Sequence, residues 1–252
     1  MLQEERKNLI LKELEKSSVA RLEDLSAMLG VSIDTVRRDL KAMDKAGLIQ
    51  YVRGGAASIH ESEQFFNFKG RQIIHIPEKQ AASKKALAAV TAGDLILLNS
   101  GTTNTVFAAE LAKSRIPCTV VTNNSAAAAA AAVSPYLKVR LLGGDYDAEE
   151  QSTYGSRCLA EIEKLHPDLC FLSINSIDLD AGYTDFRPQE IPLIRAMTRV
   201  TPRSAAIMDS TKLGRCAKEE IYPLTALPIV YMDDGADKET KEAYAAAGVD
   251  IR

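Results

Sequence analysis

The sequence has no long apolar run, few cysteines and little net charge, and each shortage excludes something. Its longest apolar-looking stretch, residues 125–133, is mostly alanine. That is far short of the roughly 20 residues that cross a bilayer, so a membrane partner is not expected. The opening MLQEERKN carries acids and no apolar signal core, which reads as a cytoplasmic protein with no export signal. The four cysteines (Cys118, Cys158, Cys170, Cys216) are widely spaced in a chain of 252 residues. They read as reduced thiols rather than a disulfide framework. With 31 Lys/Arg against 34 Asp/Glu the net charge is -3, and there is no global attraction to nucleic acid. Residues 1–60 hold ten basic and nine acidic side chains. Any binding to DNA must therefore depend on where charges sit.

What is present is a soluble composition, 46% hydrophobic and 26% charged, written in two styles. Up to about Gly55 the periodicity is helical and the segments are short. Leu9, Ile10 and Leu14 outline one helix; Leu22, Leu25, Met28 and Leu29 outline a second that closes at Gly30. Ser32 then stands where an N-cap belongs, ahead of Ile33, Val36, Leu40 and Met43, which recur at helical steps as one buried stripe. Gly47 ends that helix, and residues 48–56 alternate and turn at a glycine pair, as a small wing would. From about Glu78 the rhythm becomes strand, polar or glycine loop, helix. Apolar runs at 94–98, 119–122, 139–142, 169–173, 205–209 and 229–232 alternate with helical stretches. The fold class expected is α/β: a winged helix-turn-helix over 1–57, a linker over 58–77, and a mostly parallel α/β domain over 78–252.

With Ile33, Val36, Leu40 and Met43 inward, helical geometry turns Thr35, Arg38, Ala42 and Lys45 outward and leaves Arg37 and Lys41 on the flank. A recognition helix needs this division, one face on its own domain and the other in the major groove. Ser32, Thr35, Arg37, Arg38, Lys41 and, at the wing tip, Arg53 are the candidate DNA contacts. The competing reading of the same helix is a solvated face with an Arg38–Asp34 pair.

In the second domain, Asn99-Ser100-Gly101-Thr102-Thr103 follows an apolar run and opens a helix. Glycine lets backbone amides approach an anion and the hydroxyls add donors. Polar segments recur after the later strands: Thr122-Asn123-Asn124, Gly143-Gly144, Gly182-Tyr183-Thr184 and Asp209-Ser210-Thr211-Lys212. Loops at the carboxyl ends of parallel strands converge on one crevice. Ser100, Gly101, Thr102, Thr103, Thr122, Asn123, Asn124, Gly143, Gly144, Thr184 and Lys212 are therefore the candidate ligand residues, with Lys212 as the fixed charge for a phosphate. Helix capping competes for the asparagines. Asp145, Asp185 and Glu190 would have to supply the base of an enzyme, an isomerase acting on sugar phosphates, which is the alternative function. Cys158, His166 and Cys170 have no recognised zinc spacing, so no metal or other cofactor is expected.

The run Val31-Ser32-x-x-Thr35-Val36-Arg37-Arg38-Asp39-Leu40, with Gly47-Leu48-Ile49 and Arg53-Gly54-Gly55-Ala56, resembles the signature of bacterial DeoR-type regulators. Tyr51 and Arg53 stand where that family usually has arginine and histidine. The resemblance continues through Phe68-x-x-Arg71, Glu78-Lys79, the Gly-Thr-Thr loop, Thr122-Asn123, Leu142-Gly143-Gly144, Arg195-Ala196-Met197 and Asp209-x-x-Lys212. It departs at Asn99, where aspartate is usual, and at Asn175-Ser176, which replaces a glycine-rich stretch. The family implies a sugar-phosphate sensor related in fold to ribose-5-phosphate isomerase, without catalysis. It implies repression of a carbohydrate-use operon and release from DNA by a phosphorylated sugar effector. Paired half-sites on double-stranded operator DNA make a homo-oligomer, dimer or tetramer, the expected state.

Overall fold

The computed structural model describes residues 2–17, 19–46, 48–58 and 68–252. Gly47, His60, Phe65 and Phe66, which the sequence reading assigned to a helix end and the linker, lie outside them. The chain divides into two compact units, Met1–Ile76 and Pro77–Arg252.

The first unit runs α1 (Gln3–Ser17), β1 (Val19–Arg21), α2 (Leu22–Leu29), α3 (Ile33–Lys45), β2 (Gln50–Val52), β3 (Gly55–Ala57) and α4 (Phe68–Ile73). Ile10, Leu14, Leu25, Leu29, Val36, Leu40 and Met43 meet in one core. Gly30 is left-handed at the end of α2 (φ 63°), a conformation that favours glycine. Ser32 caps α3, its oxygen accepting from the Thr35 amide at 3.3 Å. A part-buried ion pair ties α1 to α3: Arg6 Nε donates to Asp39 Oδ2 at 2.5 Å. The wing has three strands, because β1 joins β3 on the edge opposite β2. There Gly55 is required, since a Cβ would stand 2.0 Å from the Ala20 carbonyl.

Three sequence expectations change here. Ile33 is 38% exposed, because as the first residue of α3 it precedes the turn that packs. Arg37, not Arg38, pairs with the Asp34 carboxylate (2.6 Å), while Arg38 Nε reaches only the Asp34 carbonyl. The segment expected to be linker contains α4, whose Phe68 is fully buried. Ile73, the last residue of α4, and Ile74 after it cluster with Ala57, Val19 and Val52.

The second unit begins one residue into α5 (Ile76–Leu87) and continues with β4 (Leu95–Leu98), α6 (Thr102–Ser114), β5 (Cys118–Thr122), α7 (Ser125–Ala131) and β6 (Leu137–Leu141). A hairpin of β7 (Asp145–Asp147) and β8 (Ser152–Tyr154) leads to α8 (Ser156–Ile162) and β9 (Leu169–Leu172). Then come β10 (Ser176–Asp178), β11 (Gly182–Asp185), α9 (Glu190–Val200), β12 (Ser204–Ile207), β13 (Glu219–Tyr222), β14 (Ile229–Tyr231), α10 (Lys238–Ala246) and β15 (Asp250–Ile251). Seven strands make one parallel sheet, in the order β15-β14-β12-β9-β4-β5-β6. Strand alternation divides its side chains. Ile96, Leu98, Val120, Phe171 and Ile207 pack with Ala82, Phe107 and Ala127 of α5, α6 and α7. Leu97, Val121, Leu172, Ala206 and Val230 pack with Ile162, Ile194 and Tyr244 of α8, α9 and α10. From β4 the chain grows to β5 and β6 on one side, then returns to β9 and grows the other way. The boundary between β4 and β9 is thus the topological switch point, where open α/β sheets bind ligands. A separate antiparallel sheet, β10-β11-β13, flanks this framework.

Candidate functional site

At the switch point the ends of β4 and β9 are tied by one side chain. Asn99 accepts from the Ser173 amide (2.7 Å) and donates to the Ser173 carbonyl (3.2 Å). Asn104 Nδ2 donates to Asn99 Oδ1 at 2.8 Å. An aspartate at position 99 could not make the donating half of this pair, which accounts physically for asparagine. Gly101 follows with φ 144°, and a Cβ there would fall 2.3 Å from Ser173 Oγ. Glycine is needed for the strand ends to approach. Gly101 opens α6, so Thr102 and Thr103, both buried, occupy its first turn. Amides at a helix start carry partial positive charge.

Beneath that loop lies a closed charge network. Arg187 grips Asp185 with Nε on Oδ1 (2.9 Å) and Nη2 on Oδ2 (2.8 Å). It also donates to the carbonyls of Ser100 (3.1 Å) and Ser173 (3.2 Å). Burial works against the Arg187 charge, but Asp185 more than offsets it and the guanidinium is held firmly protonated. Asp185 is therefore committed to a structural ion pair. Asn123, at the end of β5, donates to the Thr153 carbonyl (2.9 Å) and to Glu190 Oε1 (2.8 Å). Burial pushes the Glu190 carboxyl up to about 7, against the pull of Arg187 and Asn123; Asp185 and Glu150 push it further.

Five buried oxygens around these strand ends have no hydrogen-bond partner among the described residues: Ser100 Oγ, Asn104 Oδ1, Asn123 Oδ1, Glu190 Oε2 and Asp209 Oδ2. In native structures water, an ion or a ligand ordinarily meets such groups.

The candidate ligand residues divide accordingly. Ser100, Gly101, Thr102, Thr103, Thr122, Asn123 and Asn124 are brought together. Asn124, though, is occupied by the fold: it caps α7 through Ala127 N and donates to the Gly101 carbonyl (2.9 Å). Thr122 Oγ1 accepts from the Asn124 amide. Gly143 and Gly144 lie beside the hairpin; Gly144 is needed because a Cβ would meet the Tyr154 carbonyl at 2.3 Å. Lys212 ends a short 3-10 turn after β12, two strands from β4, and is half-buried. Thr184 is on β11, outside the parallel sheet, and its hydroxyl accepts from the Ala217 amide (2.7 Å). Asp145, considered as a base, is exposed on the hairpin. Sequence reasoning missed Arg187 and Ser173 as site residues and weighed Asp185 and Glu190 only as bases. The one sequence signal for the buried pair was an Asp and an Arg two apart, a spacing common on surfaces. Among the described residues, no group of three or more His, Cys, Asp or Glu is placed to hold a metal ion. None of their helices is long and apolar enough to cross a membrane.

On the first unit, Arg37, Arg38, Lys41, Ala42 and Lys45 are exposed along α3. Thr35 is half-buried, its hydroxyl 2.9 Å from Ser32 Oγ. Arg53 is exposed in the turn between β2 and β3.

The chain resembles known proteins over nearly its whole length. Residues 6–62 match the DeoR-like helix-turn-helix domain and residues 74–234 the DeoR C terminal sensor domain. The chain is 32% identical to the HTH-type transcriptional regulator GolR of Listeria innocua, over 98% of this chain and 97% of that protein. It is 27% identical to a putative aga operon transcriptional repressor of Escherichia coli O157:H7, covering 98% and 92%. Ribose 5 phosphate isomerase A of Neisseria gonorrhoeae is similar in structure over 54% of this chain and 52% of that one, with TM-score 0.40 and 15% identity. The chain belongs to the DeoR family of helix-turn-helix transcriptional regulators.

Proposed function

We propose that this protein represses a carbohydrate-utilisation operon and leaves its operator when a phosphorylated sugar occupies the crevice at the switch point. The unit ending at Ile76 is the DNA-binding head, with Arg37, Arg38 and Lys41 of α3 in the major groove and Arg53 on the flanking backbone. The unit from Pro77 is the effector and oligomerisation domain of a cytoplasmic dimer or tetramer. The observation that carries the effector reading is the set of unpartnered buried oxygens around the ends of the parallel strands. Polar ligand atoms would complete them, while the Gly101–Thr103 amides and Lys212 meet a phosphate. A ligand shifts such a regulator only through different affinities for its DNA-bound and free arrangements. Competition binding tests this: operator DNA should be held against excess competitor DNA and released by a phosphosugar but not by its unphosphorylated form. Release by neither would remove the effector half of the reading; loss to competitor would remove the DNA half.

A further inference from the structure

The strand-end loops have two chemically different sides. On one are the backbone amides opening α6, suited to an anion. On the other, every partnerless atom is an amide, carboxyl or hydroxyl oxygen. Asn123 shows why. Its Nδ2 makes both available donations, to the Thr153 carbonyl and to Glu190 Oε1. Flipping the amide would set its oxygen against that carbonyl, so the orientation is fixed by the network. Asn123 Oδ1 is left buried and unpaired, as is Glu190 Oε2. Arg187 satisfies neither, since four of its N–H groups point at Asp185, Ser100 and Ser173. A phosphate on this side would meet carbonyl and carboxylate oxygens near Asp185 and Glu150, and be repelled. Hydroxyl groups would donate to them.

We propose that Asn123 and Glu190 are the specificity-determining residues of this crevice, reading hydroxyl groups of the sugar while its phosphate lies toward Gly101–Thr103. This rests on the effector reading above and adds to it the direction of the ligand and the residues that choose among sugars. Any ligand lacking the hydroxyl leaves a buried acceptor unpaired, so discrimination by about tenfold or more follows.

The test uses the full-length protein and calorimetric titration with two kinds of probe: inorganic phosphate, and glucose, fructose and ribose monophosphates. Wild type should bind one or more of the sugar phosphates well above phosphate. Asn123→Ala and Glu190→Ala should each weaken that sugar phosphate about tenfold or more, yet change phosphate affinity less than about twofold. Glu190→Gln, which keeps the shape and the bond to Asn123, serves if an alanine variant does not fold. It should reorder the affinities among the three sugars and leave phosphate unchanged. Equal loss of phosphate and sugar binding, or no change in either, overturns the assignment while leaving the effector reading intact. Wild type that binds no sugar phosphate better than phosphate also overturns it; wild type that binds neither kind of probe removes the effector reading beneath it.

Discussion

Arg187 and Asp185 form a buried two-pronged ion pair, at 2.8 and 2.9 Å, directly under the Ser100 and Ser173 carbonyls. The pair fixes the height of two strand-end loops at once. A loop that must present amides to an anion needs such support, because small displacements there change every contact.

Arg187→Met should therefore destabilise the second unit by about 3–5 kcal/mol, since it leaves a buried carboxylate with no counter-charge. Urea unfolding would measure it. A loss under about 1 kcal/mol would mean that Asp185 takes up a proton or reaches water at little cost.

Asn99→Asp replaces the donor to the Ser173 carbonyl with a second oxygen, in a fully buried place. We expect a loss of roughly 2–4 kcal/mol at neutral pH, with weaker effector binding because the Gly101 loop is no longer held to Ser173. An unchanged melting curve would show that the tie between β4 and β9 is dispensable.

Glu190 gives a pH dependence with a definite sign. Its carboxyl is raised by burial from 4.5 to about 7 in the folded protein. The folded state therefore holds this proton more tightly, and stability falls as pH rises from about 4.5 to about 7, then levels. Replacing it by glutamine should remove that slope, worth on the order of a few kcal/mol across the window. Parallel unfolding curves for the two proteins from pH 5 to 8 are the check; identical slopes would contradict the assignment.

On the DNA side, Arg38 and Lys41 are exposed on α3, so alanine at either should leave folding unchanged. Arg38→Ala should cost about 1–3 kcal/mol of operator affinity and relax sequence preference, as a base contact does. Lys41→Ala should weaken all sequences alike and lower the salt dependence, as a phosphate contact does. Circular dichroism separates either effect from unfolding.

The legible part of this protein was the part written in apolar periodicity. The parallel strands are short runs of Leu, Ile and Val, and a winged head announces itself through Ser32, the α3 stripe and the glycine turn. The antiparallel sheet escaped notice because β10 (Ser-Ile-Asp) and β13 (Glu-Glu-Ile-Tyr) are brief and half polar, and Tyr183 pairs with Tyr222 far along the chain. Arg187 and Glu190 escaped as structural residues for a related reason. Their burial depends on Ser100, Ser173 and Asn123, which only the folded sheet brings near. Ile33 went the other way: the periodicity put it inside, but the first residue of a helix has no preceding turn to pack against.

The most direct test of the account is fluorescence anisotropy on labelled DNA from upstream of this protein's own operon, in excess competitor, with and without sugar phosphates. The account predicts tight binding that falls steeply with salt and is reversed by a phosphosugar but not by the free sugar. Binding no better than competitor, with or without every ligand, would contradict it.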